Sequence, residues 1–229
     1  MSILALDTAT GATAVGLLRD DDVVFEARHD PAPGERPGHA SRLLGLVAEV
    51  CAAAEVPLAE VGRIAAGTGP GSFTGLRIGV ATARALAQGS GATLVGVGTL
   101  RTLAAGAAGL ETVLAIVDAR RGEVFAAAWT GEQPRLAPTA LAPAALAARV
   151  RELGTPLAIG DGALRFRDDW ELAGARVPPD GDPLHRISAR HACRLAAGAE
   201  PAGPGGVLPD YLRRPDAEIR RGRRTPTDR

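Results

Sequence analysis

Lysine is missing altogether from these 229 residues, so the 26 basic side chains are all arginine, balanced by 26 acidic ones. A net charge of zero argues against a broad electrostatic grip on nucleic acid, which needs a basic excess along one face. Any service to a nucleic acid is therefore expected to run through a partner. Aromatic residues make up only 3%, against 46% hydrophobic residues in total. A core can form, but it must be aliphatic. Cysteine is scarce too, with Cys51 and Cys193 far apart in alanine-rich helical patterns. That usage reads as small buried thiols in a reducing compartment rather than a disulfide framework. No apolar run approaches a membrane-spanning length, and residues 1–10 carry no basic n-region of a signal peptide. The expectation is a cytoplasmic protein with no membrane contact.

The length suits one large domain or two lobes of roughly a hundred residues each. Residues 2–6 are an apolar run ending at Asp7, and 13–18 and 23–27 read as two further strands with a tight turn at 20–22. A Pro/Gly-rich loop at 31–38 precedes a helix from His39, with Leu43, Val47, Val50 and Ala54 on one face and Leu46 beside them. Pro57 ends it. A strand at 63–67, the loop Thr68-Gly69-Pro70-Gly71, a helix over 72–88 and a strand at 93–97 follow, and Thr99 is read as the cap of a further helix. The second half repeats the first. Residues 113–117 run into Asp118, then Ala119-Arg120-Arg121-Gly122, then a strand at 123–129. Asp7 precedes Gly11 by four residues and Asp118 precedes Gly122 by four, which points to a duplicated lobe. The division is expected at residues 1–103 and 104–229. A helix over 143–153, a strand over 156–159 and a helix over 187–197 closing at a left-handed Gly198 complete the second half. The Arg-rich tail is expected to be disordered from about residue 220.

Two lobes whose first strands end in aspartate suit a nucleotide with a hydrated metal ion between them. The candidate residues are Asp7, Thr8, Thr10 and Asp118, with Gly160 and Gly162 where a nucleoside could lie on bare backbone. Against this, the first turn carries Ala9 where glycine would admit a phosphate, and Arg120 and Arg121 stand where small residues would leave room. The other reading, in which both aspartates only end strands and cap turns, stays open.

The stretch from Thr68 to Arg77 enters a helix through a Gly-rich loop, a setting for anion binding at a helix N-terminus. It lacks the Gly-Lys-Ser/Thr ending, and a chain without lysine cannot be a standard P-loop ATPase. Gly71, Gly75, Gly79, Ala83 and Ala87 recur every four residues as a bare stripe. Glycine inside a helix costs about 1 kcal/mol relative to alanine, so another backbone is expected to lie close, either this protein's own sheet or another subunit. No second histidine shares the face of His39, where Leu43 stands four residues on, and no serine or cysteine has a nucleophile-elbow setting. Metal and peptidase chemistry are not expected.

Leu4-Ala5-Leu6-Asp7-Thr8-Ala9-Thr10, the block Gly69-Pro70-Gly71-Ser72-Phe73-Thr74-Gly75-Leu76-Arg77, Asp118 to Phe125, and Tyr211-Leu212-Arg213-Arg214 together resemble the TsaB (YeaZ) family. The resemblance covers nearly the whole chain, and the Gly-Pro-Gly-Ser-Phe-Thr-Gly-Leu-Arg block is its most specific part. It implies an α/β fold of two RNase H-like lobes of the actin/Hsp70/sugar-kinase type, with mixed sheets flanked by helices. It further implies a non-catalytic subunit that binds a paralogous catalytic subunit, TsaD. A TsaE-like ATPase joins the pair, and threonylcarbamoyl is transferred to the adenosine beside the anticodon of tRNA. A homodimer when alone, indirect tRNA contact and no firm cofactor follow, with ATP or ADP conceivable at the cleft or partner interface. The interface expected from the resemblance is the bare stripe with the neighbouring helix: His39, Leu43, Leu46, Val47, Phe73, Gly75, Leu76, Gly79, Val80 and Ala83. Gly45 is a departure, at a helix position where many relatives are expected to carry proline. The rival reading is an ATP-dependent small-molecule phosphotransferase of the same superfamily, for which the chain is short.

Overall fold

A computed structural model describes residues 1–19, 23–32, 34–107, 109, 111–203 and 206–213. The turn expected at 20–22 and the tail beyond 213 lie outside the described residues. The chain opens with three antiparallel strands, β1 (Ile3–Asp7), β2 (Thr13–Arg19) and β3 (Val23–His29), then α1 (His39–Ala53). β4 (Arg63–Gly69), α2 (Phe73–Ser90), β5 (Thr93–Gly98) and α3 (Thr99–Ala105) complete the first half. The second half holds β6 (Thr112–Arg120), β7 (Glu123–Thr130), β8 (Gln133–Leu141), α4 (Pro143–Glu152) and β9 (Leu157–Ile159). Two short helices, α5 (Asp161–Arg165) and α6 (Arg167–Leu172), and α7 (Ala189–Ala197) follow.

The sheets share one topology. The first runs β3-β2-β1-β4-β5 and the second β8-β7-β6-β9, so the halves coincide strand for strand up to the fourth. In each, the first strand pairs antiparallel with the second and parallel with the fourth. A first strand flanked on both sides and covered on both faces favours an apolar run, and β1 is apolar up to its terminal Asp7, with every residue buried. The repeated strand–Asp–turn pattern is thus a repeated supersecondary unit.

One face of the first sheet packs Leu4, Leu6, Val15 and Leu17 against Leu43, Val47 and Val50 of α1 and Val80 and Ala83 of α2. Its other face takes α7, whose Ala192, Cys193 and Ala196 meet Ile3, Ala5, Leu18 and Val95. The second sheet is covered by Leu100, Leu103 and Ala104 of α3 on one face, and by Leu146, Val150 and Trp170 of α4 and α6 on the other.

Three expectations need correction. The division at residue 103 does not describe the packing, because α3 joins the second core and α7 returns to the first sheet. Gly16 permits that return, since a Cβ there would stand 3.0 Å from the Ala189 side chain. Gly198 ends α7 at φ −94°, not in the left-handed region, which Gly91 after α2 does adopt at φ 78°. Thr99 opens α3, but Gly98 is the cap and the threonine hydroxyl is engaged elsewhere.

Candidate functional site

Both aspartates turn back on their own chain. Asp7 accepts from the Ala9 amide at 2.8 Å, and Asp118 accepts from the Arg120 amide at 2.9 Å, the same two-residue Asx turn in each half. Such a turn fixes the chain reversal after a strand without any ligand. Asp7 spends its other oxygen on the Thr99 hydroxyl at 2.8 Å, and Gly67 lies so close that no side chain would fit beside the carboxylate. With 2% exposure, Asp7 is shut away from the cleft. Burial pushes its carboxyl above the usual range, partly offset by the Ala9 and Thr99 bonds. Thr8 is equally committed, its hydroxyl donating to the Gly75 carbonyl at 2.7 Å.

The bare stripe of α2 is filled from within. A Cβ at Gly71 would press into Ala9, one at Gly75 into the Thr8 carbonyl oxygen, and one at Gly79 into the Thr8 hydroxyl, each far inside van der Waals contact. The backbone expected against these glycines is therefore the protein's own turn after β1, not that of another subunit. Ser72 locks the same contact: its amide donates to the Ala9 carbonyl at 2.7 Å, and its hydroxyl caps α2 by accepting from the Gly75 amide at 3.0 Å. Two amides at this helix start are thus spent internally rather than held for an anion.

A cleft remains between the two turns. It encloses about 260 Å3, lined by Thr10 and Gly11 from one half, Asp118, Arg120 and Arg121 from the other, and Tyr211 and Arg213 from the segment after α7. A second cavity of about 260 Å3 adjoins it, bounded by Arg28, Asp180, His185 and Arg186, with Asp161 bordering both. Of the proposed cofactor residues only Thr10 and Asp118 line the cleft. Gly160 and Gly162 are small because β6 passes against them, with Ile116 and Val117 where a side chain would go. Asp118 faces cations of its own chain, Arg165 at 2.6 Å and Arg120 at 3.4 Å. Asp161 accepts from the Asp118 amide at 2.9 Å, and burial raises its carboxyl above the usual range. Arg120 and Arg121 sit at φ 63° and 58°, left-handed conformations that hold both in the turn bordering the cleft.

The interface candidates separate cleanly by burial. His39, Leu43, Val47, Gly75, Leu76, Gly79, Val80 and Ala83 are buried in the protein's own core, and only Leu46 and Phe73 reach the surface, half-buried. His39 instead bonds Thr13 through Nδ1 at 2.8 Å. The solvent face of these two helices carries Leu44, 59% exposed, with exposed Gly45, Ala48 and Ala52 on α1 and Thr74, Ala81 and Ala85 on α2. The residues picked from the sequence are thus the buried stripes of α1 and α2 rather than their exposed faces, because apolar periodicity finds the side that packs inward. The sequence pattern also gave no part in the site to Arg165, Thr99 or Tyr211, whose partners lie far away in the chain. Among the described residues no three His, Cys, Asp or Glu side chains gather as for a metal ion. No described helix is long and apolar enough to cross a membrane.

Residues 35–157 match the family model described as TsaD, tRNA N6-adenosine threonylcarbamoyltransferase. The chain is 35% identical over 228 residues to the Escherichia coli tRNA threonylcarbamoyladenosine biosynthesis protein TsaB, covering 93% of this chain and 95% of that one. It matches a crystal structure from Pseudomonas aeruginosa, of a protein with similarity to peptidase YEAZ, at TM-score 0.76 and 30% identity, covering 93% and 99% of the two chains. A ROK hexokinase from Thermus thermophilus, 14% identical with TM-score 0.52 over 86% of this chain and 100% of that one, shares the fold alone. The architecture is the two-lobed actin and sugar-kinase type.

Proposed function

This chain belongs to the TsaB family of tRNA threonylcarbamoyladenosine biosynthesis proteins, and we propose that it serves there as a non-catalytic subunit that binds and supports a TsaD-like catalytic subunit. The observation that carries the reading is the solvent face of α1 and α2. Leu44 projects there at 59% exposure, among glycine and alanine positions that let two helix pairs approach closely. The residues matching the TsaD model, 35–157, include both helices. A paralogous partner would present the corresponding pair, so like could pack on like about a pseudo-twofold axis.

The same face would serve a second copy of this chain when the partner is absent. A TsaE-like ATPase as third component, tRNA contact made only through the catalytic partner, and a cytoplasmic setting complete the proposal. The zero net charge supports indirect tRNA contact, since direct binding draws on a basic surface. The engagement of Asp118 by Arg165 and of Asp7 by Thr99 supports a cleft that holds no nucleotide in the isolated subunit. Calorimetry with ATP and magnesium should give no binding heat from the chain alone, whereas saturable binding with turnover would favour the phosphotransferase reading.

The partner face is tested by Leu44→Arg. Co-purification of the TsaD-like subunit should be lost while the Tm stays within about two degrees, as expected for a surface change within about ±0.5 kcal/mol. Undiminished co-purification would move the interface elsewhere.

A further inference from the structure

The segment 206–213 lies outside both sheets and is anchored in both cores. Val207 is 3% exposed in the core beneath α1 and α2, and its carbonyl accepts from Arg84. The Asp210 amide donates to the Thr68 carbonyl at the end of β4 at 2.7 Å. The Tyr211 ring lies 5.2 Å from that of Phe73, and its hydroxyl accepts from Arg77 Nε at 3.1 Å. The Arg77 guanidinium sits 3.8 Å from the Phe73 ring centroid, so ring, cation and ring form one clamp on the first turn of α2. One residue later the anchorage changes lobe. Leu212 packs into the core of the second sheet, and Arg213 pairs with Glu123 at the start of β7 at 2.9 Å. Residues 210–213 therefore form one wall of the cleft while bridging its two sides.

We infer that residues 207–213 are a strap that holds the cleft narrow and couples its width to the first turn of α2. Widening the cleft must either withdraw Leu212 and Arg213 from the second lobe or pull Tyr211 off Phe73. Other residues that join the lobes, 186, 187 and Leu103 of α3 among them, border the adjoining cavity instead. The inference goes beyond the partner-binding reading and stands without it, because its test uses the isolated full chain.

Hydrogen–deuterium exchange resolved by peptide provides the test. With Tyr211→Ala, the turns at 8–12 and 118–122 on opposite sides of the cleft should both exchange roughly three- to tenfold faster, the consequence of losing one aromatic pair. Acceleration confined to 207–213 would overturn the strap. Should Tyr211→Ala not fold, a charge exchange keeps the question answerable. Arg213→Glu alone should accelerate both turns, and adding Glu123→Arg should restore them. Equal rates in the wild-type, single and double variants would equally overturn it.

Discussion

Gly75 is bare because Thr8 already occupies the space where a side chain would go. Alanine in an ordinary helix gains roughly 1 kcal/mol over glycine, but overpacking a tight contact costs about 1–3 kcal/mol. Here the obstacle is a backbone carbonyl that cannot rotate away, so the penalty wins. Gly75→Ala should lower the Tm by several degrees in a thermal melt, and partner binding should fall with the fold rather than independently of it. His39 supplies a second test. Burial holds its imidazole below the ordinary histidine range, with His29 nearby acting in the same direction. The unfolded chain then takes up a proton first as pH drops. Stability is full above the unfolded value of 6.5 and is lost as pH falls from there through the lower folded value. Comparing the Tm at pH about 7.5 and about 5.5, on either side of the histidine range, His39→Asn should show a smaller drop than the wild type. An unchanged drop would leave another group responsible, His191 first, since burial depresses it as well.

At the scale of elements, α7 reports on the junction between the halves. Cys193 on its inner face is fully buried, and burial pushes its thiol up to about 12. A thiol reagent should modify half-buried Cys51 in the native protein and leave Cys193 slower by a factor on the order of 10³ or more, since reaction awaits an opening that costs several kcal/mol. Comparable rates would mean that α7 detaches readily. The elements legible in the sequence were those with unbroken apolar runs or a clear 3.6-residue period, such as β1, β6, α1 and α2. β8 escaped because Pro134 and Pro138 interrupt it and most of its side chains are exposed, as an edge strand allows. α5 and α6 escaped because five and six residues are too few to show a period. The site divided along the same line. The two Asx turns were legible because each spans two residues, whereas Thr99 meets Asp7 across 92 residues and Arg165 meets Asp118 across 47. Only folding brings those pairs together.

Over the whole molecule, the duplicated sheets present two equivalent turns to one cleft, yet the contents differ. One turn is closed by a buried carboxylate and a threonine, the other by carboxylates ringed with arginine. Both arrangements satisfy the aspartates without a ligand, which leaves the outer helices as the surface on which the proposed function rests. The recrossing of α7 has its own consequence. Cutting the gene between the sheets would not yield two autonomous modules, because an amino-terminal piece would leave Ile3, Ala5, Leu18 and Val95 uncovered in water. The repeat is visible as architecture, but the halves mature only together, because the first sheet stays open on one face until residues 189–197 have left the ribosome.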